Sequence, residues 1–279
     1  MQTLAEALRE AIALLSAGDS DSARLDAELL LCEAAGTSRA GLIAWPERTL
    51  QPAQHARFVE LIARRAQGEP IAYILGRREF WGLELTVSPA TLIPRPDTER
   101  LVECALQALP AHRPIVCADL GTGSGAIACA IAWTRRMAHV TGVDISAEAV
   151  AVAEQNARQL DLDNLRFVTG SWTEPVRELR YPVVVSNPPY VAAGDEALAA
   201  LRYEPQTALV APGDDLSCIR ELAVRVPAVL EEGGVFLFEH GSDQAERIAD
   251  VLDEHGWTGI ENFRDYAGLP RVTRARRDS

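Results

Sequence analysis

The chain opens on a helical pattern. Leu4, Leu8, Ile12 and Leu15 recur at steps of four and three residues, with Glu6, Arg9 and Glu10 off the stripe, which predicts an amphipathic helix. Gly18-Asp19-Ser20-Asp21 breaks it and offers N-cap candidates for a second helix over 23–35, with Gly36 as its C-cap. A short helix near 38–44 and a longer one over 54–66 follow, the latter stopped by Gly68-Glu69-Pro70. Residues 1–75 therefore read as a small all-α domain.

The period changes at Gly76. Phe80 and Trp81, then Leu83, Leu85 and Val87 alternating with Glu84 and Thr86, predict a β-hairpin turning at Gly82. Ser88-Pro89 ends it, and the stiff run from Ile93 to Pro96 completes a hairpin-and-proline linker over 76–96. Asp97 is placed to cap a helix over 98–109. The rest, 97–279, alternates. Strands are expected at 115–119, 140–144, 165–169, 182–186, 235–239, 260–264 and 272–276, and helices at 126–133, 147–159, 216–230 and 244–255. Such alternation builds an α/β fold, a mostly parallel seven-stranded sheet with helices on both faces. Ligands bind there at the carboxyl edges of the strands, near the switch in strand order.

Composition narrows the classes. A length of 279 residues suits about two domains, and 48% hydrophobic with 24% charged residues excludes disorder. Lys and Arg number 27 against 40 Asp and Glu, a net charge of −13 that argues against nucleic acid as a direct partner. The uncharged window Leu120–Trp133 holds three glycines and is too short for a membrane span, and residues 1–20 lack the pattern of a signal peptide. Five scattered cysteines form no C-x-x-C and the histidines no H-E-x-x-H, so no metal site is expected, and reduced thiols in the cytoplasm are.

Chemistry concentrates after three strands. Asp119-Leu120-Gly121-Thr122-Gly123-Ser124-Gly125 ends one strand and opens a helix, with glycine where the chain turns sharply or a ligand touches backbone. Gly121, Gly123 and Ala126 also satisfy the dinucleotide pattern G-x-G-x-x-G/A, so the glycines alone do not separate NAD from another adenosine ligand. Asp119, read as facing the pocket, would repel a pyrophosphate and suits a ligand with a free amino group, such as S-adenosylmethionine. Asp144 ends the next strand nineteen residues after Gly125, where a carboxylate accepts hydrogen bonds from ribose hydroxyls. Ser146 is better placed than Asp144 to cap the following helix. Trp172, after the third strand, lies where an adenine would lodge; a half-buried aromatic covering the sheet edge explains it equally well.

The fourth strand runs into Asn187-Pro188-Pro189-Tyr190. Two prolines remove two donors and fix φ twice, leaving a rigid bend that presents carbonyl oxygens; Asn187 adds an acceptor and Tyr190 a flat face. This suits alkylation of a planar NH2 nitrogen, whose lone pair is delocalised. Asn187 Oδ1 and the Pro188 carbonyl would bind both N–H groups and turn the lone pair toward a methyl donor, with no strong base needed. Asn187, Pro188 and Tyr190 are the candidate catalytic residues, with Pro189 beside them in binding substrate.

At these motifs the sequence resembles the class I S-adenosylmethionine-dependent methyltransferases, Rossmann-like enzymes, acting on exocyclic or amide nitrogens. The segments 76–82, 92–99 and Arg202-Tyr203-Glu204-Pro205 with Ala208-Leu209 are similar to those of the HemK/PrmC family, end to end along the chain. The resemblance implies methylation of the glutamine in the Gly-Gly-Gln tripeptide of class I peptide release factors, modulating translation termination. It implies that Gly121, Thr122, Gly123, Ser124 and Gly125 wrap the cofactor, that Asp144 holds its ribose and that Trp172 borders its adenine. Asn187 would sit between cofactor and substrate, residues 187–190 would receive the glutamine, and the helical domain would help grip the release factor. A cytoplasmic monomer is expected. The chain departs from relatives in lacking a glycine before the last arginine of Arg271–Arg276 and in its loop 265–270, both remote in chain order from the expected site.

Four other readings compete. A sister enzyme methylating a ribosomal-protein glutamine shares the Asn-Pro-Pro-Tyr bend but typically lacks the run Pro96–Glu99. A DNA amino-methyltransferase would use the bend on a flipped base, against which the acidic charge counts. A non-catalytic interaction module is disfavoured by the intact bend, and a dehydrogenase by Asp119.

Overall fold

The computed structural model describes residues 2–18 and 22–277, in two compact units, Met1–Gly76 and Arg77–Ser279. In the first, α1 (Leu4–Ser16) begins on a reciprocal cap, in which the Thr3 hydroxyl accepts from the Glu6 amide and the Glu6 carboxylate from the Thr3 amide. Leu4, Ala7, Ala11 and Leu15 form its buried stripe, while Leu8 and Ile12 flank it half-buried. Ala7 and Ala11, rather than Leu8 and Ile12 of the expected stripe, join Leu4 and Leu15 in the core. The proposed caps Asp19, Ser20 and Asp21 lie outside the described residues. Next come α2 (Ala23–Ala35), ended by Gly36 at φ 62°, α3 (Arg39–Ala44), α4 (Pro52–Ala66) and a short α5 (Ile71–Leu75) absent from the sequence expectation. Leu30, Leu31 and Leu61 are fully buried at the centre of this unit.

The second unit starts with a hairpin of β1 (Arg77–Phe80) and β2 (Leu83–Thr86). Trp81 and Gly82 both take positive φ, 57° and 71°, as a two-residue turn matched to strand twist requires. Residues 77–86, assigned to a linker by the sequence, pack here: Phe80, Leu83 and Leu85 are buried in the core of this unit. A 3-10 turn, Pro96–Thr98, leads into α6 (Glu99–Ala108). Asp97 does not cap that helix; its carboxylate sits 3.7 Å from Arg271 instead.

The sheet comprises β3 (Ile115–Leu120), β4 (Ala138–Asp144), β5 (Leu165–Thr169), β6 (Tyr181–Ser186), β7 (Leu230–Glu239), β8 (Thr258–Arg264) and β9 (Pro270–Arg276). Helices α7 (Ala126–Thr134), α8 (Ala147–Gln159), α9 (Gln206–Leu209), α10 (Ser217–Arg225) and α11 (Ala245–Glu254) connect them. The spatial order is β5-β4-β3-β6-β7-β9-β8, and only β9 runs against the rest. The order reverses at the β3–β6 seam, so a crevice opens at the carboxyl ends of those two strands. The helix expected over 216–230 stops early because Pro227 lacks an N–H; a 3-10 turn over Val226–Ala228 intervenes and β7 begins at Leu230. No helix of the described residues is long and apolar enough to cross a membrane.

Candidate active site

A cavity of about 440 Å3 occupies the crevice. The loops after β3, β4, β5 and β6 form one side of it, through Gly121–Ser124, Asp144, Trp172, Asn187 and Pro189. Segments 90–98 and 205–212 wall the other. Glu204, nearly buried, ties these two segments together: it accepts from the Ile93 amide at 3.0 Å and forms an ion pair with Arg95.

The glycine loop is shaped by contacts that a side chain would break. A Cβ on Gly125, at φ 78°, would meet the Phe167 ring at 2.9 Å and the Ala153 methyl at 3.0 Å. At Gly121, φ 75°, it would lie 3.4 Å from the Trp172 indole, which packs beside the loop backbone at the cavity wall. Trp172 holds φ 45°, a left-handed conformation that costs a bulky residue energy and fixes where the indole goes. Asp144 is held from both ends: Oδ2 accepts from the Gly123 amide at 2.8 Å and Oδ1 from the Ser146 amide at 2.9 Å. Ser146 caps α8 through the Ala149 amide at 3.1 Å, leaving Asp144 free of that task.

Asp119 is not where the sequence reading put it. It is fully buried beneath the loop and forms no part of the cavity wall. Its Oδ2 accepts from the Thr122 hydroxyl at 2.6 Å while Oδ1 has no hydrogen-bond partner. Burial pushes its pKa up to about 7. Side chains alternate along β3, and the last polar one points under the loop, so its charge does not choose the ligand.

The Asn-Pro-Pro-Tyr bend divides likewise. Asn187 and Pro189 stand in the cavity wall; Pro188 is buried and, like Tyr190, does not line it. Asn187 Nδ2 donates to the Thr98 hydroxyl at 3.4 Å. The Tyr190 hydroxyl donates to Glu239 Oε1 at 3.0 Å, and its carbonyl accepts from Gln244 Nε2 at 3.0 Å. Burial, then the neighbouring Glu239 carboxylate, push the Tyr190 phenol up. The bend is thus braced from behind, and the flat face that the sequence assigned to the site belongs to this brace. Ser186, donating from its hydroxyl to the Leu120 carbonyl at 2.7 Å, locks the ends of β6 and β3 side by side.

Residues 6–76 match the PrmC N-terminal domain and residues 112–263 a methyltransferase domain. A relative from Vibrio cholerae named release factor glutamine methyltransferase is 45% identical, over 97% of this chain and 96% of its own. The chain belongs to the release factor glutamine methyltransferase family. Another relative of that name, from Pseudomonas aeruginosa, is 47% identical over 91% of this chain and 93% of its own. A methyltransferase structure from Pyrococcus furiosus shares the fold, with a TM-score of 0.54 and 18% identity, covering 78% of this chain and 98% of that one.

The reading from sequence gave no site role to Thr98, Glu204, Glu239 or Arg271, although the first two fall in segments similar to the family's. Glu239 carries a detectable signal, since it ends the apolar run Val235–Phe238 as Asp144 ends its own strand. Arg271 carries none. The departure at Arg271–Arg276 looked remote, yet β9 lies beside β7, and Arg271 reaches Asp265 at 3.2 Å and the His240 carbonyl at 3.4 Å behind the bend.

Proposed function

We propose that this chain transfers a methyl group from S-adenosylmethionine to the side-chain amide nitrogen of the glutamine in the Gly-Gly-Gln tripeptide of class I peptide release factors. Family membership supports the reaction class, and one structural observation supports the residue roles: Asn187 and Pro189 share a single cavity with Gly121–Ser124, Asp144 and Trp172. Both ends of a methyl transfer fit within it.

The residues present fit the cofactor. Each Asp144 oxygen already holds one backbone N–H and keeps a lone pair for a ribose hydroxyl. The side-chain-free Gly121 brings backbone up to the Trp172 ring, a ledge for an adenine. Thr122, Gly123, Ser124 and Gly125 shape the turn for the remainder, and Asp119 supports that turn from below through Thr122. Bound S-adenosylmethionine supplies an electrophilic methyl on a sulfonium.

The protein's part is positional. Asn187 Oδ1, in the cavity wall, takes an N–H group of the substrate amide and sets its lone pair toward the methyl; Pro188, buried behind that wall, keeps the bend stiff together with Pro189 and the braced Tyr190. As the N–C bond forms and the S–C bond breaks, the nitrogen becomes cationic and then releases a proton to solvent, so no strong base is needed. Holding both reactants in line can supply about 7–11 kcal/mol of the barrier. The helical unit helps grip the release factor, and the chain works as a cytoplasmic monomer on protein rather than nucleic acid, in keeping with its net charge of −13.

Mass spectrometry of a release factor incubated with the protein and S-adenosylmethionine tests this. The tripeptide glutamine should gain about 14 Da, one CH2. Methylation of a ribosomal protein or of DNA in its place would overturn the substrate assignment.

A further inference from the structure

Behind the Asn-Pro-Pro-Tyr bend lies a carboxylate that the reaction as described does not use. Glu239 ends β7 almost completely buried, two strands from the glycine loop in the sheet order. Its Oε1 accepts the Tyr190 hydroxyl at 3.0 Å. Its Oε2 is sealed from solvent without a hydrogen-bond partner, and burial pushes the carboxyl up, offset in part by the Thr98 hydroxyl beside it. That hydroxyl is the one that accepts from Asn187 Nδ2 at 3.4 Å. One buried group thus braces Tyr190 directly and lies beside the hydroxyl that holds Asn187.

We infer that Glu239 is a positioning residue for the methyl transfer, and that Thr98 relays its constraint to Asn187 by fixing which end of the Asn187 amide faces the cavity. An asparagine amide is nearly symmetric in shape and opposite in chemistry at its two ends. Turned one way it offers the substrate amide an acceptor. Turned the other way it confronts that NH2 with a second NH2, and the nitrogen loses its orientation. The Thr98 oxygen, accepting from Nδ2, holds the productive end forward, with the buried Glu239 carboxylate beside that hydroxyl. Tyr190, tied to Glu239 Oε1, fixes the far side of the same four-residue bend. Burial makes a lone carboxylate costly, so a Glu at this place calls for a compensating task. Arg271 and Asp97 complete the charged surroundings.

The inference rests on the glutamine-methylating reading, and the test separates the two. With S-adenosylmethionine saturating, kcat and KM for release factor are measured for the wild type, Glu239→Leu, Glu239→Gln, Thr98→Val and Thr98→Ser. Calorimetric binding of S-adenosylhomocysteine reports the cavity independently of turnover. Glu239→Leu and Thr98→Val should lower kcat about ten- to a hundredfold with KM and product binding within about threefold. Glu239→Gln, which keeps an acceptor for Tyr190, and Thr98→Ser, which keeps the hydroxyl, should recover most of the loss. Thr98→Val is close to isosteric, so it remains informative if Glu239→Leu does not fold. Unchanged kcat in Thr98→Val, or a fall in kcat matched by lost product binding, would overturn the inference and leave the reaction standing. A wild type that binds S-adenosylhomocysteine yet leaves the release-factor glutamine unmodified would overturn both.

Discussion

Single side chains in this molecule are set by what lies beneath them as much as by what they face. Asp119 makes the case. Its folded pKa, raised to about 7 by burial, lies above that of an unfolded aspartate, so the folded chain holds the extra proton. Stability should therefore be greatest in this respect below about pH 4 and decline as pH rises toward 7. Asp119→Asn should flatten that decline: melting curves from pH 4 to 8 should show its Tm gaining on the wild type through this window. A parallel pair of curves would refute the assignment. Asn187→Ala should lower turnover about a hundredfold, the scale of losing a fixed polar contact to a reacting group, while binding S-adenosylhomocysteine within a few-fold of wild type; calorimetry beside the methylation assay checks both. Asp144, the glycines and Asn187 were legible in the sequence because strand ends and tight turns mark them. The brace of Tyr190 was not, since its partner is 49 residues away and no local pattern announces a contact across strands.

Between elements, a single amide joins the hairpin to the cofactor end of the site. Asn156, fully buried on α8, accepts from the Thr86 amide at 2.7 Å and donates to the Thr86 carbonyl at 3.0 Å and the Ser124 carbonyl at 2.9 Å. Asn156→Ala strands three buried backbone groups and should cost about 2–3 kcal/mol. Differential scanning calorimetry should show Tm falling about 5–10 °C, and an unchanged Tm would show the staple to be idle. Long elements were readable, α2 and α8 to the residue, because Gly36 at the end of one and Ser146 at the start of the other mark their bounds. The short α5 and α9 span five and four residues, too few for a period to declare itself. Pro227 was there to be read as a stop; the apolar residues on both sides of it, Val226 and Val229, carried the expected helix too far.

At the scale of the whole chain, strand–helix alternation foretells a parallel sheet but not the order of its strands. That order, with β3 beside β6, is what gathers the loops into one cavity. The helical unit ends at Gly76, where the contacts of the chain divide. A chain of residues 77–279 should bind S-adenosylhomocysteine within a few-fold of the full protein and methylate release factor with a KM raised at least about tenfold, as steady-state kinetics would show. An unaltered KM would free the helices from any part in substrate capture. The β3–β6 seam also has a temporal side. During synthesis the chain completes β3, β4, β5 and Trp172 before β6 and Asn187 leave the ribosome, and pairing across such a sequence gap is slow to form. A nascent chain thus owns the Gly121–Asp144–Trp172 half of its pocket before it owns the half walled by Asn187 and Pro189. A ligand spanning both halves acts as a clasp on this late-closing joint, raising the population of finished enzyme by mass action before any methyl has moved.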